Sequence, residues 1–470
     1  MMQKIKYDDG AASYLLLILI SQLFFTNGIL LFVGMAIFFW IVNNVQQPHK
    51  PSVFTLLLIY HFVQISAGIW LSNYLNKDVN YRSESTTNAT IASYIGLLFL
   101  FIPIIYFQNK IPALSRADLL RHARKLSTAK TYRAYVISFF AMNALSGVAF
   151  FFPGFTQVIF SFVNIKWFFF LIFGFQVMLK KEKTKEFYIF CVLEFGLGFF
   201  SYFSAFKTVM FFLLFLNLAL LRTLSFNKVF FATIFMAAAV FGGIFWTSIK
   251  GEYRNFLNSG SNTQVVSVEK TDAVNKLLEL SQAEDEVSFN EAIEDFLERL
   301  QYTYHFAKTM DRVPSVIPHQ NGANWGKTLE FVLTPRILNP NKGNYDASVK
   351  TVTYTGIRYM GASKGTSVSL GYFADGYIDF GYIGMMVPLL ILGFIYGGSS
   401  YYFIKNTSTN YLFNFAVVGA MFMETLSFES DNIFIAGRVY VNLAVFFMMK
   451  LFIFPAIMAY IKQPVRQEQY

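Results

Sequence analysis

The chain has 470 residues, of which 55% are hydrophobic and only 14% are charged. Soluble globular proteins carry about 25% charged residues, so this composition argues against an ordinary soluble domain. The formal net charge is +10, and the basic residues lie mainly in short segments between apolar runs. Basic residues in such loops set the orientation of membrane helices, so the positive charge does not indicate nucleic-acid binding.

Apolar runs recur along the whole chain, and a helix of about 20 residues crosses a hydrocarbon core about 30 Å thick. We therefore predict an all-α polytopic membrane protein with about 12 transmembrane helices and a large, partly helical extracytoplasmic loop. The predicted spans are residues 11–26, 29–46, 52–74, 91–107, 134–152, 155–179, 187–203, 206–221, 228–249, 378–403, 411–427 and 439–461. They divide the chain into helices 1–9 (residues 1–249), a loop or cap (250–377) and helices 10–12 (378–470).

The short loops predict the orientation of these spans. Residues 108–133 contain seven lysines and arginines against one acid, Asp118, and a second basic cluster lies at residues 180–185. Because short basic loops stay on the cytoplasmic side, both termini are expected inside the cell. The cap of residues 250–377 is then expected outside.

The cap differs in composition from the rest of the chain. Fourteen of the 28 acidic residues lie between residues 252 and 346. The stretch Ser288–Glu291 has a capping-box pattern, which predicts the start of an amphipathic helix that continues to Ala307. A second helix is predicted over residues 273–280. After Pro314 the chain is rich in Pro, Gly and Asn, and we expect loops there.

Five basic residues are candidates for binding an anion on the outer side. A guanidinium group binds phosphate with two hydrogen bonds and keeps its charge. The positive-inside rule predicts few cations on this side, so a group of them indicates a function. The alternative for each is a side chain that reaches the lipid headgroups. The candidates are Lys207, in a turn between two apolar runs; Arg254, after the ninth span; Arg336 and Arg358, in the cap; and Arg438, near the last span.

Acidic and neighbouring residues are candidates for general-base catalysis or for orienting a sugar hydroxyl. Asp375 and Asp379 are four residues apart and would share one helix face, with Tyr377 between them. Acids are also favoured at a helix start, which is the structural alternative. Glu424 lies at the end of an apolar run, and His319 lies in the cap. The sequence contains no metal-ligand spacing and no phosphate-binding glycine motif, so no metal or cofactor is predicted.

Three short stretches resemble the Wzy-type oligosaccharide repeat-unit polymerases, which make O-antigen and capsule. Ser204–Thr208 is similar to the family's small-x-x-[Arg/Lys]-Thr turn, and Thr334–Lys342 is similar to its Pro-Arg-x-x-x-Pro-x-Lys segment. Asp375–Gly381 resembles its Glu-x-Tyr-x-Asn-Phe-Gly stretch, with Asp375 and Asp379 in place of Glu and Asn. The large outer loop late in the chain extends the resemblance.

The resemblance implies an enzyme of the bacterial cytoplasmic membrane that needs no metal. A growing glycan on undecaprenyl diphosphate would be transferred to the sugar end of the next lipid-linked repeat unit, outside the cytoplasm. A chain-length regulator protein is a further expected partner. The implied diphosphate ligands are Lys207, Arg336 and Arg358, then Arg254 and Arg438. The implied acceptor side contains Asp375, then Glu424 or His319, with Tyr377 and Asp379 as further substrate contacts.

Two other functions stay open at this point. An O-antigen ligase would have a similar topology and the same donor, but would transfer the glycan to a lipopolysaccharide core. A polysaccharide or lipid-linked sugar transporter would show mid-membrane charges and two similar halves. The predicted spans contain few such charges other than Glu194 and Lys450, and the cap follows the ninth span. The sequence therefore favours the polymerase.

Overall fold

A computed structural model describes residues 4–152, 154–199, 206–260, 268–281, 286–334, 339, 342–343, 345–359 and 367–463. In these ranges the chain is helical almost throughout, which confirms the predicted all-α class. A short parallel strand pair, β1 (Lys6–Tyr7) and β2 (Thr223–Leu224), joins the N-terminus to the segment before a long helix.

In the described ranges, eleven helices precede the cap. They are α1 (Asp9–Ser21), α2 (Gly28–Val45), α3 (Val53–Tyr74), α4 (Thr86–Lys110), α5 (Arg116–Arg124), α6 (Thr128–Val148), α7 (Thr156–Val163), α8 (Ile165–Lys180), α9 (Thr184–Phe199), α10 (Lys207–Leu220) and α11 (Phe226–Leu257). Short 3₁₀ turns follow α1 at Gln22–Phe24 and α6 at Ala149–Phe151.

The remaining helices form the cap and the C-terminal part of the bundle. The cap helices are α12 (Lys270–Ser281), α13 (Glu286–Leu300), α14 (Thr303–Arg312), α15 (Ala323–Leu333) and α16 (Ala347–Thr355). They are followed by α17 (Tyr372–Gly384), α18 (Met386–Asn406), α19 (Tyr411–Phe422), a 3₁₀ turn (Met423–Thr425), α20 (Asn432–Phe452) and α21 (Phe454–Ile461).

Several helices have the length and composition of membrane spans. In the described chain seven are long and apolar enough: Gly28–Val45, Val53–Tyr74, Thr86–Lys110, Thr156–Lys180, Phe226–Leu257, Met386–Asn406 and Asn432–Phe452. Asp9–Phe24, Lys207–Leu220 and Tyr411–Thr425 are apolar but shorter. The chain is thus a helical, multi-pass type of membrane protein.

The tenth and the last predicted spans are each divided into two helices. The tenth, predicted at residues 378–403, is broken at Gly381, whose φ of 66° and ψ of −167° separate α17 from α18. A glycine adopts this backbone conformation without the steric cost that a side chain would add. The last, predicted at 439–461, consists of α20 and α21, with Pro455 at the start of the second helix.

The cap contains more helix than the sequence predicts, and two expectations are wrong. The helix expected to begin at the Ser288 capping box begins at Glu286, and it ends at Leu300 rather than reaching Ala307. The separate helix α14 packs on α4, whereas α13 packs on α3 and α11, so one straight helix would not cover both surfaces. The region after Pro314 contains α15 and α16 instead of loops alone.

The cap packs on one end of the bundle, which we call the cap end. Helices α13 and α14 lie against α3 and α4, α13 also contacts α11, and α15 contacts α17 and α20. Helix α11 packs against α1, α12 and α13 and leaves most of its apolar surface exposed. The ends of α3, α11 and α20 therefore meet the cap.

Helices α4 and α18 approach each other closely because two glycines of α18 lie against the α4 backbone. A Cβ on Gly393 would lie 2.2 Å from the Leu100 carbonyl oxygen, and one on Gly397 would lie 3.0 Å from the Ile104 Cα. Small residues at such contacts allow membrane helices to pack through their backbones.

We expect Gly393→Ala to separate α18 from α4 and to lower the free energy of unfolding by about 1–3 kcal/mol, as overpacking does elsewhere. Thermal unfolding of the purified protein in detergent measures the change. Gly398→Ala is the matched control, because its Cβ would meet Phe107 at an ordinary 3.5 Å. Equal losses of unfolding free energy in the two variants would show that the close approach of Gly393 to α4 does not cause the loss.

Candidate functional site

Four basic residues converge from three helices at the cap end. Lys207 is the first residue of α10, Lys250 and Arg254 lie one turn apart near the end of α11, and Arg299 lies in the last turn of α13. The charges of Arg299, Arg254 and Lys207 all act on the Lys250 ammonium. Cations grouped in this way repel one another and favour the binding of an anion. We call these four residues the cation cluster.

One acidic residue, Glu429, lies at the edge of the cation cluster. Its charge acts on Lys250 and on Tyr302, and its carboxylate accepts a hydrogen bond of 2.7 Å from Nε2 of Gln64. Burial raises the pKa of the Tyr302 hydroxyl, and the charge of Glu429 raises it further. Tyr302 is therefore a neutral hydrogen-bond donor at the edge of the cluster.

A second polar group lies further along the membrane helices. Arg438, on α20, donates a long hydrogen bond of 3.4 Å from Nη1 to the Glu424 carbonyl oxygen. Arg438 and Glu429 both act electrostatically on Tyr60, which connects this group to the cation cluster. The side chains of Glu424 and Arg438 are both exposed on the protein surface.

Behind Glu424 lies a buried ion pair. Lys166 Nζ is 3.0 Å from Glu194 Oε2, and the two side chains are 7% and 5% exposed. The charges of Lys166 and Arg438 and the side chain of Asn164 all act on the Glu424 carboxylate. We call Asn164, Lys166, Glu194, Glu424 and Arg438 the embedded cluster.

Asp375 belongs to a different place, the junction between the cap and the bundle. It is fully buried, and its Oδ1 lies 2.5 Å from Nζ of Lys350, on the cap helix α16. Asn324 Nδ2 donates to the same oxygen at 3.1 Å, and the backbone N–H of Asn432 donates to Oδ2 at 2.7 Å. Both carboxylate oxygens are thus occupied, and Asp375 joins α15, α16, α17 and α20.

Asp431, beside Asp375, completes this junction. Its side chain caps α20 by accepting a hydrogen bond of 3.1 Å from the Phe434 N–H, and it also accepts one from the Tyr345 hydroxyl. Burial raises the pKa of Asp431, and the charge of Asp375 raises it further, while Lys350 opposes both. Two buried carboxylates therefore share one lysine.

Asp379 holds the first turn of α15. It accepts hydrogen bonds from the backbone N–H groups of Asn324 and Trp325, at 3.1 and 2.7 Å. These groups lack partners within their own helix, so the carboxylate acts as a cap supplied by α17. Burial raises the pKa of Asp379, and the Trp325 hydrogen bond opposes that shift.

His319 and Tyr377 also fasten the cap to α17. His319 Nδ1 lies 3.1 Å from the Tyr377 carbonyl oxygen, which makes Nδ1 the donor. The Tyr377 hydroxyl donates to the Val313 carbonyl oxygen at 3.0 Å. The structure therefore brings Asp375, Asp379, Tyr377 and His319 together where the cap meets α17, in contacts that hold the cap.

The predicted cations fall into three groups. Lys207, Arg254 and Arg438 lie in or beside the cation cluster. Arg358 is exposed just after α16, and no contact with either cluster is found for it in the described chain. Arg336 lies outside the described residues.

Sequence reasoning missed four residues of these clusters: Asn164, Lys166, Lys250 and Arg299. Lys250 could have been found, because it is one helical turn from Arg254. Lys166 lies within the predicted span 155–179. The predicted spans therefore contain another mid-span charge besides Glu194 and Lys450, which weakens the sequence argument against a transporter. Arg299 had no signal of its own, because a basic residue at the end of an amphipathic helix is common.

Comparison with known proteins identifies a family for this chain but no activity. A family model described as a domain of unknown function (DUF8712) matches residues 114–401, more than half of the chain. No curated protein and no solved structure matches. Across the described ranges, no group of three or more His, Cys, Asp or Glu side chains is placed to hold a metal ion.

We expect Lys350→Met to lower the free energy of unfolding by about 3–5 kcal/mol, because it leaves Asp375 buried without its cation. The double variant Lys350→Met with Asp375→Asn should lose less, since it removes both charges. Thermal and denaturant unfolding in detergent measure both.

Lys276→Met is the control for this experiment, because its partners Glu252 and Glu279 are 62% and 68% exposed. Its effect should be small, because exposed ion pairs contribute little to stability. If the single and double variants at the junction were equally unstable, the ion pair would not be what holds the cap.

Proposed function

The chain belongs to this family of unknown function, and we propose that it polymerises lipid-linked oligosaccharide repeat units into a surface polysaccharide. In this proposal it is a metal-independent glycosyltransferase of the bacterial cytoplasmic membrane with about twelve spans. Both termini lie in the cytoplasm, and the cap end of the bundle faces outward. The donor is an oligosaccharide on undecaprenyl diphosphate, and the acceptor is the sugar end of the next lipid-linked unit.

The cation cluster is the observation that carries this proposal. Lys207, Lys250, Arg254 and Arg299 come from α10, α11 and α13, and the charges of the other three act on the Lys250 ammonium. A diphosphate carries several negative charges and binds best to several lysines or arginines. When the bond to the sugar breaks, further negative charge develops on the leaving diphosphate oxygen, and preorganised cations stabilise it.

The position of the cluster fits a substrate that is part lipid and part anion. Lys207 begins the apolar helix α10, and Lys250 and Arg254 end the apolar helix α11. Along α11, Phe231, Phe235 and Phe241 are exposed. A diphosphate held at the cluster would therefore have apolar helix surface beside it for the lipid chain.

Glu424 is the best candidate for the acceptor side. Residue Glu424 is exposed and its carboxylate hydrogen-bonds to the Asn164 side chain, whereas Asp375 is buried with both oxygens bonded. A general base must reach the hydroxyl that it deprotonates, and this condition favours Glu424 over Asp375. The choice of a polymerase over an O-antigen ligase rests on the resemblance of the stretch Asp375–Gly381.

A transporter is the second candidate, and one observation favours it. The buried Lys166–Glu194 pair lies in the interior of the helical bundle, where substrate paths of transporters carry charged residues. The cation cluster would then be the entry point for an anionic substrate.

Comparison of surface glycan from a deletion strain and its parent separates the candidates. A polymerase deletion should leave lipid that carries one repeat unit and should lose the polymer ladder. A ligase deletion should leave polymer on the lipid carrier, and a flippase deletion should leave repeat units on the cytoplasmic side. An unchanged glycan would exclude all three.

We expect Lys207→Ala to reduce polymer yield about tenfold or more in the complemented strain, because it removes a cation that stabilises the leaving group. A glycan gel measures the yield, with the membrane level of the protein determined in parallel. Lys228→Ala is the matched control: Lys228 lies at the opposite end of α11, and its Nζ donates to the Thr223 carbonyl oxygen. Normal polymer from the Lys207 variant at normal protein level would contradict the diphosphate assignment.

A further inference from the structure

Tyrosines from two segments of the cap surround one histidine, His305 on α14. The centre of its ring lies 5.2 Å from that of Tyr302, 5.8 Å from that of Tyr304 and 5.9 Å from that of Tyr359. His305 is only 9% exposed, whereas the three tyrosines are half-buried. Tyr359 follows α16, so these contacts also join α14 to the segment after α16.

An ion pair lies beside these rings. Arg82, in the segment between α3 and α4, has its Nη1 2.5 Å from Oε1 of Glu298 on α13, and its guanidinium lies 4.5 Å from the centre of the Tyr304 ring. The Arg82 and Glu298 side chains are 30% and 46% exposed, so solvent reaches both. Tyr81, next to Arg82 in the chain, is also exposed. We use the name tyrosine patch for Tyr81, Arg82, Glu298, Tyr304, His305 and Tyr359.

The hydrogen bond between His305 and Tyr359 decides which atom of the pair can bind a ligand. His305 Nε2 lies 2.7 Å from the Tyr359 hydroxyl, and His305 Nδ1 is enclosed without a hydrogen-bond partner in the described part of the chain. Burial lowers the pKa of His305 to about 4, and the charge of Arg82 lowers it further, so the ring is neutral and carries one N–H.

An enclosed N–H group without an acceptor is costly and rare in proteins, so we assign the His305 proton to Nε2 rather than to Nδ1. Nε2 then donates to the Tyr359 hydroxyl oxygen. The Tyr359 hydroxyl therefore accepts one hydrogen bond from His305 and keeps its own proton for an acceptor outside the pair.

The tyrosine patch continues into the cation cluster. Arg299, a member of the cation cluster, directly follows Glu298 on α13. Tyr302 also connects the two, because its backbone N–H donates to the Gln64 carbonyl oxygen at 3.3 Å and the Gln64 side chain donates to Glu429. A molecule with its diphosphate at the cation cluster would therefore have the tyrosine patch beside it.

The chemistry of the tyrosine patch fits a neutral sugar. A sugar ring presents C–H groups on its faces and hydroxyl groups around its edge. Tyrosine rings contact the faces, while tyrosine hydroxyls, guanidinium and carboxylate groups form hydrogen bonds to the edge. The charges of Arg82 and Glu298 offset each other, so this pair favours neither an anion nor a cation.

We propose that the tyrosine patch is a sugar-binding subsite that holds the glycan of the lipid-linked substrate, with the Tyr359 hydroxyl as a hydrogen-bond donor to a sugar oxygen. The identity of this ligand rests on the proposed glycosyl transfer. The diphosphate lies at the cation cluster, and the sugars extend from it over α13 and α14. The subsite binds and orients the glycan and takes no part in breaking a bond.

Binding of glycan without lipid tests the subsite separately from catalysis. The probe is the set of oligosaccharides that mild acid releases from the surface polysaccharide of the parent strain, since these carry no diphosphate. The protein is held in lipid nanodiscs, because maltoside detergents would add sugar headgroups of their own. Calorimetric titration measures Kd. We expect Tyr359→Phe, which removes only the hydroxyl, to raise Kd about fivefold, because one hydrogen bond to the sugar is lost.

A second variant and a matched control accompany this measurement. Tyr81→Ala removes an exposed ring and should also raise Kd at least severalfold. Tyr354→Phe is the control: Tyr354 lies on α16 in the same cap, but the charges that act on its hydroxyl are those of Asp379 and Asp375. Its Kd should equal that of the unaltered protein, and thermal unfolding confirms that each variant is folded.

Equal Kd values for the unaltered protein, Tyr359→Phe and Tyr81→Ala would overturn the subsite, and so would a lack of binding by the unaltered protein. The proposed function can fail independently. If the two variants bind the probe more weakly while the deletion strain makes normal glycan, the sugar site stands and the polymerase is excluded. Loss of the polymer ladder together with equal Kd values would leave the polymerase and remove the subsite.

Discussion

The contact between Asp375 and Lys350 is the interaction on which the arrangement of the cap depends. A carboxylate buried without a partner is costly, and Asp375 is fully enclosed, so the lysine of the cap helix α16 must remain beside it. Through Asn324 and the Asn432 N–H, the same carboxylate also holds the starts of α15 and α20. The Asp375 side chain on α17 therefore contacts residues of α15, α16 and α20 and holds these helices together.

The polar residues at this junction have a structural role, whereas those of the two clusters are candidates for binding substrate. Asp375, Asp379, Tyr377 and His319 make hydrogen bonds to the backbone or to the cap, so they fix the geometry of the junction. The cation cluster instead groups like charges at the ends of three helices, and Glu424 lies within the influence of Arg438 and Lys166. The loop between α19 and α20 separates the two regions, and Glu429 and Asp431, two residues apart, belong to one each.

The embedded cluster extends the candidate site from the protein surface into the helical bundle. From Lys250 past Glu429 and Tyr60 to Arg438 and Glu424, each residue acts electrostatically on the next. A substrate with an anionic headgroup and a sugar could thus have the headgroup at one end of this series and a hydroxyl at the other.

The sequence by itself determined the all-α membrane class, because runs of apolar residues leave the backbone no other way to satisfy its hydrogen bonds in lipid. It also indicated Lys207, Arg254 and Arg438, since cations at the ends of apolar runs are visible without any structure. Only the tertiary structure decided which residues share a site. Lys250 and Arg299 join Lys207 through the packing of α11 and α13, and Lys166 meets Glu194 across two helices. Asp375 looked catalytic in the sequence, but its role depends on burial, which arises from contacts between segments that are far apart in the chain.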